Sequence, residues 1–266
     1  MSNPFSEAES RPFGLQAVSA GIPVGSILPD PLHWYDFTDS SVVYQDQAGT
    51  MLVTGNGDPI QHIKDKGSDP ADLTSQSAVN NMTWLTNVLG GHAVADITVT
   101  GADLLNVATG IHEATTKGST MMLVCRRTNF AVSGALWASW QNGLNHQMDE
   151  TIDPDMEQFF RWVFTPPITG INANMGELPN NTWHLQYMSL IHDDDKFFYT
   201  SPGPEQVQLL SATGNQAFDS GPSISISETA TTKQIAELRF YDRGLDEPER
   251  LALRDEASAK YGVLPI

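Results

Sequence analysis

From Leu32 onward, apolar and polar residues trade places over short runs bounded by Gly, Pro, Asn, Asp and Ser, the pattern of β-strands joined by turns. Ser223-Ile-Ser-Ile-Ser227 alternates strictly. Trp183, Leu185, Tyr187, Ser189 and Ile191 fall on one side of a long strand over 182–192, and Asp193-Asp-Asp195 makes its turn. The same reading predicts strands over 32–37, 41–45, 60–64, 93–99, 120–127, 134–140, 159–164, 196–200, 207–210, 223–227 and 235–241. In the last of these, Ala236, Leu238 and Phe240 share one face while Glu237 and Arg239 share the other. That predicts a half-buried strand with an open polar face. Gly244 breaks the alternation, and Asp246 with Glu249 three residues later forms a capping box, with Pro248 in the first turn. Leu253, Ala257 and Tyr261 then recur every fourth residue, and Gly262 supplies the stop. A helix is therefore predicted over 246–261, and weaker helical periodicity runs over 102–108. Many short strands and one clear helix point to a two-sheet sandwich rather than an α/β fold.

Residues 1–31 follow a different rule. Pro4, Pro12, Pro23, Pro29 and Pro31, with Gly14, Gly21 and Gly25, exclude a regular helix or a central strand. Phe5, Phe13, Leu15, Val18, Ile22, Val24, Ile27 and Leu28 are apolar all the same. This composition predicts an extended N-terminal arm over 1–31, suited to lie on a neighbouring surface, ahead of a sandwich domain over 32–266. No repeat or linker divides that domain.

Charge narrows the function classes. The chain has 266 residues, with 14 basic against 32 acidic side chains and a net charge of −18. Such a surface repels phosphate backbones, which argues against direct nucleic-acid binding. The one cysteine, Cys125, lies in the apolar run Met121-Met-Leu-Val-Cys125 and reads as a core thiol, so stability must come from packing. The N-terminus has neither the basic start nor the apolar core of a secretory signal, and no apolar stretch is long enough for a membrane helix. Cytosolic synthesis without membrane association is the expectation.

Several segments, taken in order, carry a family likeness. They are Leu32-His-Trp-Tyr-Asp36, Ile63-Lys-Asp-Lys-Gly67 with Asp72-Leu-Thr74, and Gly90-Gly-His-Ala-Val-Ala-Asp-Ile97 running on to Leu105. Thr120-Met-Met-Leu-Val-Cys-Arg126 and Asn181-Thr-Trp-His184 follow. Ile235–Arg243 with Leu245, Glu249 and Lys260-Tyr-Gly-Val263 closes the set. The chain resembles the concanavalin A-like lectin/glucanase superfamily, in the laminin-G-like form found in phage and bacterial multi-domain proteins. The resemblance covers residues 32–263 and implies an all-β, two-sheet antiparallel jelly-roll sandwich with a short C-terminal helix. The Trp that the family places before its Asp-Lys motif is absent, and the arm lies outside the family.

Candidate chemistry is sparse. Asp153-Pro-Asp155-Met-Glu157 has the alternate carboxylate spacing that the resemblance associates with retaining glucanases, which need two carboxyls about 5–5.5 Å apart. The first position is Asp where the family uses Glu, and Pro154 removes a ladder hydrogen bond. With Asp149 and Glu150 just before it, the segment reads as an acidic surface loop, and no catalytic residue is assigned. Asp193–Asp195 could offer calcium ligands, although a triplet at a hairpin tip is ordinary turn chemistry. Only His184 and His192 of the seven histidines lie within ten residues of one another, so no zinc set or catalytic triad is visible. Neither a metal nor a cofactor is expected. Of Trp34, Trp84, Trp137, Trp140, Trp162 and Trp183, most read as core anchors, but Trp137 and Trp140 have opposite parity. One of those two should face outward, which makes it the lead for sugar stacking.

The first functional reading is a non-enzymatic virion structural protein of a phage: a capsid decoration, head-fibre or tail-associated subunit. Its partners would be other virion proteins or copies of itself, met through the arm, and its place the virion surface. The alternative is a lectin-like adhesion module that recognises host glycans. A glycoside hydrolase comes third.

Overall fold

The computed structural model describes residues 27–76, 79, 81–97, 103–106, 119–128, 151–152, 157–162, 171–177, 181–190, 196–201, 203–208, 224–227 and 233–262. The elements run β1 (His33–Asp36), β2 (Val43–Tyr44), β3 (Asp58–Ile60), β4 (His62–Ile63), β5 (Leu73–Thr74) and β6 (Met82–Leu89). They continue with β7 (His92–Ile97), β8 (Asp103–Asn106), β9 (Ser119–Arg127), β10 (Thr151–Ile152), β11 (Glu157–Trp162) and β12 (Ile171–Glu177). The last are β13 (His184–Leu190), β14 (Lys196–Thr200), β15 (Gln206–Gln208), β16 (Ile224–Ser227), β17 (Lys233–Tyr241) and the helix α1 (Glu247–Tyr261).

A nine-stranded antiparallel sheet has the order β15-β14-β13-β9-β17-β7-β6-β3, with β1 added on β17. A five-stranded sheet runs β16-β8-β5-β4-β2, and a third, of three strands, runs β10-β11-β12. One face of the large sheet supplies Tyr35, Trp84, Ala95, Leu123, Cys125, Met188 and Leu238 to a core shared with Val43, Ile63, Leu73, Leu104 and Ile226 of the five-stranded sheet. This is a β-sandwich, as the alternating pattern predicts. The other face packs Val94, Met122, Val124, Leu185, Tyr187 and Tyr241 against Leu253, Ala257 and Tyr261 of α1.

The local signals explain the helix well. The Asp246 side chain accepts from the Glu249 amide, Glu249 reaches back to the Asp246 amide, and Gly262 closes the helix in the left-handed conformation. At the far end, Gly90 (φ 56°) forms the β6–β7 hairpin tip, where a Cβ would lie 2.4 Å from the Tyr261 carbonyl oxygen. The hairpin therefore abuts the helix end, and His92 Nε2 lies 2.9 Å from the Lys260 carbonyl oxygen, one of the carbonyls a helix terminus leaves open.

Two expectations are corrected. The described part of 102–108, residues 103–106, is not helical. Asp103–Asn106 is β8, paired with β16 and β5, and Leu104 is fully buried. Ladder bonds and core burial outweigh a weak short-range period. The second correction concerns β17, whose nine residues are all buried. It pairs with β9 along one edge, while its other edge is shared between β7 (Lys233–Ile235) and β1 (Glu237–Phe240). A register shift lies between Ile235 and Glu237, where the Phe37 amide bonds the Ala236 carbonyl at 3.0 Å. Because α1 covers the polar face, Glu237 and Arg239 are interior residues.

The Asp-Lys-Gly segment is structural too. The Asp65 carboxylate accepts from His33 Nδ1 (2.6 Å) and from the backbone amides of Trp34 (2.7 Å), Gly67 (2.7 Å) and Ala71 (2.9 Å). It thereby moors the 65–71 loop beside β1. A Cβ on Gly67 would sit 2.1 Å from the Leu32 carbonyl oxygen, so only glycine fits this approach.

Candidate functional site

The outer face of the large sheet holds two polar zones, one beneath α1 and one beyond it. In the first, Glu237 is completely buried and meets three donors. Arg239 Nε lies at 2.5 Å, the Tyr261 hydroxyl at 2.5 Å and Lys260 Nζ at 3.0 Å. Lys260 also reaches Asp36 at 3.1 Å, and Lys66 joins Asp36 (3.2 Å) to Asp39 (3.0 Å). Arg239 Nη2 reaches Glu256 on the helix at 2.7 Å. Every cation here has a carboxylate partner, so the zone fastens α1 to β1 and β17.

The ionisations agree with that reading. Burial alone would raise the pKa of Asp36, but Lys260, the Thr38 hydroxyl and Lys66 outweigh it and hold the group below its ordinary value. Burial would lower the pKa of Arg239, yet the Glu237 charge, reinforced by Glu256, raises it. Burial and the Glu237 carboxylate together push the Tyr261 phenol well up. A second anchor holds the other end of the helix. Arg250 grips Glu205 with Nε (2.8 Å) and Nη2 (3.0 Å), and the Tyr187 hydroxyl donates to the same carboxylate.

The second zone is a row across five adjacent strands. Trp183 precedes β13, Arg126 ends the outer-face phase of β9, Gln234 stands on β17, Asp96 on β7, and Thr83 lies opposite Asp96 on β6. Arg126 Nε donates to Gln234 Oε1 at 2.6 Å, and Gln234 Nε2 donates to Asp96 Oδ1 at 2.7 Å. The Arg126 guanidinium carbon lies 5.2 Å from the centre of the Trp183 ring. Trp183, Gln234 and Asp96 are buried, whereas Arg126 and Thr83 are half-buried and reach solvent. Burial pulls the pKa of Arg126 down, with Asp96 opposing. The sequence reading passed over this row. Its signal was the phase of Met122, Val124 and Arg126, which places a charge in line with a buried apolar stripe.

The sequence-level candidates fare unevenly. Cys125 is buried in the inter-sheet core, as expected. Trp84 and Trp183 are core anchors, the first donating from Nε1 to the Phe37 carbonyl at 3.0 Å. Trp34 is half-buried, with Lys66 Nζ 4.3 Å and the Arg239 guanidinium 4.6 Å from its ring centre, so cations already occupy the ring. Glu157 opens β11 and pairs with Glu177 in register, while Asp153 and Asp155 lie outside the described residues. So do Asp149, Glu150, Trp137, Trp140, His192, Asp193–Asp195 and residues 1–26 of the arm. His184 lies within β13, where Nδ1 is 2.6 Å from the Ser201 carbonyl oxygen. The His33–Asp65 pair has the geometry that orients a catalytic imidazole, but both side chains are fully buried. Among the described residues, no group of three or more His, Cys, Asp or Glu side chains is arranged to hold a metal ion.

No family model matches the chain, and no curated protein does. Solved structures do. The binding domain of Paraclostridial Mosquitocidal Protein 1 aligns at 11% identity with a TM-score of 0.59, over 84% of this chain and 52% of that one. The binding domain of Botulinum neurotoxin DC in complex with rat synaptotagmin II aligns at 9% identity and a TM-score of 0.55, over 82% and 51%. The same binding domain in complex with SialylT gives 9% and 0.52, over 72% and 48%. The chain thus spans about half the length of the solved chains it matches. At such low identity the likeness establishes a shared β-sandwich fold.

Proposed function

We propose that this chain is a non-catalytic recognition domain of the lectin-like jelly-roll kind, and that its ligand is a glycan on another surface. The observation behind this reading is the breadth of the fold likeness: 84% of the chain follows a domain described as a binding domain. Two further likenesses are to binding domains solved with a partner, one with synaptotagmin II and one with SialylT. The sequence resemblance to concanavalin A-like lectins points the same way. Glu237, Asp36 and Glu205 are committed to ion pairs that hold α1, which leaves them unsuited to acid–base work. The reading of a phage particle subunit anchored through residues 1–31 draws on sequence alone. None of the likenesses adds to it, so glycan recognition takes precedence.

The test is an array of glycans probed with the purified full-length chain, with and without calcium. Saturable binding to a defined glycan class is expected, and it should survive chelation. An array that stays blank, beside a control lectin that binds, would sink the proposal.

A further inference from the structure

We propose that Arg126 is the anion-binding residue of this domain, taking the carboxylate of an acidic sugar where it reaches solvent in the Trp183–Arg126–Gln234–Asp96 row. This rests on the glycan-recognition reading and adds a residue and a ligand class to it.

The first argument is that Arg126 is charged, half-buried and, among the described residues, without a bonded carboxylate. Arg239 bonds two, Glu237 and Glu256, while Arg243 bonds Glu249 and Arg250 bonds Glu205. Arg254 stacks over the Tyr199 ring at 4.2 Å. Among the described residues, Arg126 bonds only the neutral amide of Gln234 and lies over an indole. The chain carries 32 acidic residues against 14 basic ones, so acidic partners abound. A guanidinium drawn out of water with none on its fork is left to be neutralised by something that binds.

The second argument is preorganisation. A guanidinium has five N–H donors in one plane, and Gln234 engages Nε, leaving the Nη edge for a ligand. Gln234 is itself fixed by Asp96, and the Trp183 ring supports the guanidinium from one side. A fork held in this way matches the two oxygens of a carboxylate.

Asp96 then discriminates between anions. It is the acidic group that faces Arg126 across this row, and its repulsion grows with the charge of the guest. Attraction to Arg126 grows with that charge as well, but the cost of stripping water rises more steeply, so a singly charged carboxylate is favoured over a phosphate dianion. Thr83, opposite Asp96 in register and half-buried, lies three strands from Arg126, where the next sugar of an oligosaccharide would pass.

The experiment is calorimetric titration of the full chain with a glucuronate-terminated oligosaccharide, its glucose-terminated twin, and inorganic phosphate. Arg126→Gln, Arg126→Lys and Asp96→Asn are titrated beside the wild type, each checked for an unchanged circular dichroism spectrum. The uronate should bind the wild type more tightly than the neutral twin or phosphate. Arg126→Gln should lose about 10- to 100-fold, the worth of hydrogen bonds to a charged group. Arg126→Lys should recover only part of this, because it keeps the charge and loses the fork. Asp96→Asn should bind the uronate about 3-fold tighter or more by relief of repulsion, a gain that a damaged fold would not produce. Equal affinity for the uronate and its twin, or affinities unmoved by both Arg126→Gln and Asp96→Asn, would overturn the assignment. If neutral glycans bind and Arg126 proves immaterial, this inference falls while the recognition function stands. If no glycan binds at all, both fall.

Discussion

Glu237→Gln removes one charge from the fully buried hub beneath α1 and changes almost nothing in volume. The wild-type carboxylate holds Arg239 at 2.5 Å, Lys260 at 3.0 Å and the Tyr261 hydroxyl at 2.5 Å. Removing one partner of a buried ion pair costs about 3–5 kcal/mol, because the other charge is stranded away from water. Arg239 keeps Glu256 and Lys260 keeps Asp36, so the lower end applies, roughly 3 kcal/mol. For a chain of this size that is a fall in Tm of roughly 6–12 °C. Calorimetry and urea denaturation should agree, with the midpoint lowered and the slope unchanged. The companion variant replaces the hub by apolar groups: Glu237→Met, Arg239→Met and Tyr261→Phe together. Since an apolar replacement of a buried pair is often neutral or stabilising, this triple variant should be more stable than Glu237→Gln alone. A single variant within about 1 kcal/mol of wild type, or a triple variant less stable than the single, would show that the hub is not a desolvated ion-pair centre.

Two further predictions concern acid and glycine. The folded pKa of Asp36 is lowered, so between its folded and unfolded values the unfolded chain binds the extra proton and stability rises with pH. The contribution is complete above the unfolded value of about 3.9 and is lost as pH falls through the folded value. Urea unfolding from pH 6 to 2.5 should therefore show a shallower acid-side decline in Asp36→Asn than in the wild type, and parallel curves would contradict the assigned ion pairs. Gly67→Ala puts a methyl 2.1 Å from the Leu32 carbonyl oxygen and 2.6 Å from His33 Cα, both rigid backbone, and should cost about 1–3 kcal/mol by thermal melting. Gly55→Ala, with nothing within 4 Å of the added carbon, should stay within about 0.5 kcal/mol; equal losses in the two would undo the argument from close approach.

How far the sequence could be read depends on whether a signal was local. Asp246, Glu249 and Gly262 act within one turn of helix, and the structure uses each as its chemistry suggests. The alternation of Leu185, Tyr187 and Ser189 likewise survives, because a strand's two faces are set by its own pleat. Illegible features depend on what covers a face. Glu237 and Arg239 look like a solvated stripe, since no local pattern records that a helix from the chain's end will lie on them. Asp103–Asn106 looks weakly helical, since its partners on β16 and β5 are remote in sequence. Met82–Leu89 is hard to read as a strand because its alternation is interrupted at the left-handed Asn87 (φ 56°), beside the register shift of the β6–β7 pair.

The same reasoning separates the two polar zones. Beneath α1, charges of opposite sign arrive together from β1, β17, the 65–71 loop and the helix, and each meets a partner. Beyond α1, one guanidinium shares the row with a carboxylate that binds an amide instead of the guanidinium. A fold that needed Arg126 only for stability could have put Asp or Glu at 234, within reach of its Nε, as Glu237 stands to Arg239. Glutamine at that position orients the guanidinium without neutralising it. That choice distinguishes a residue held ready for a ligand from one tied into the scaffold.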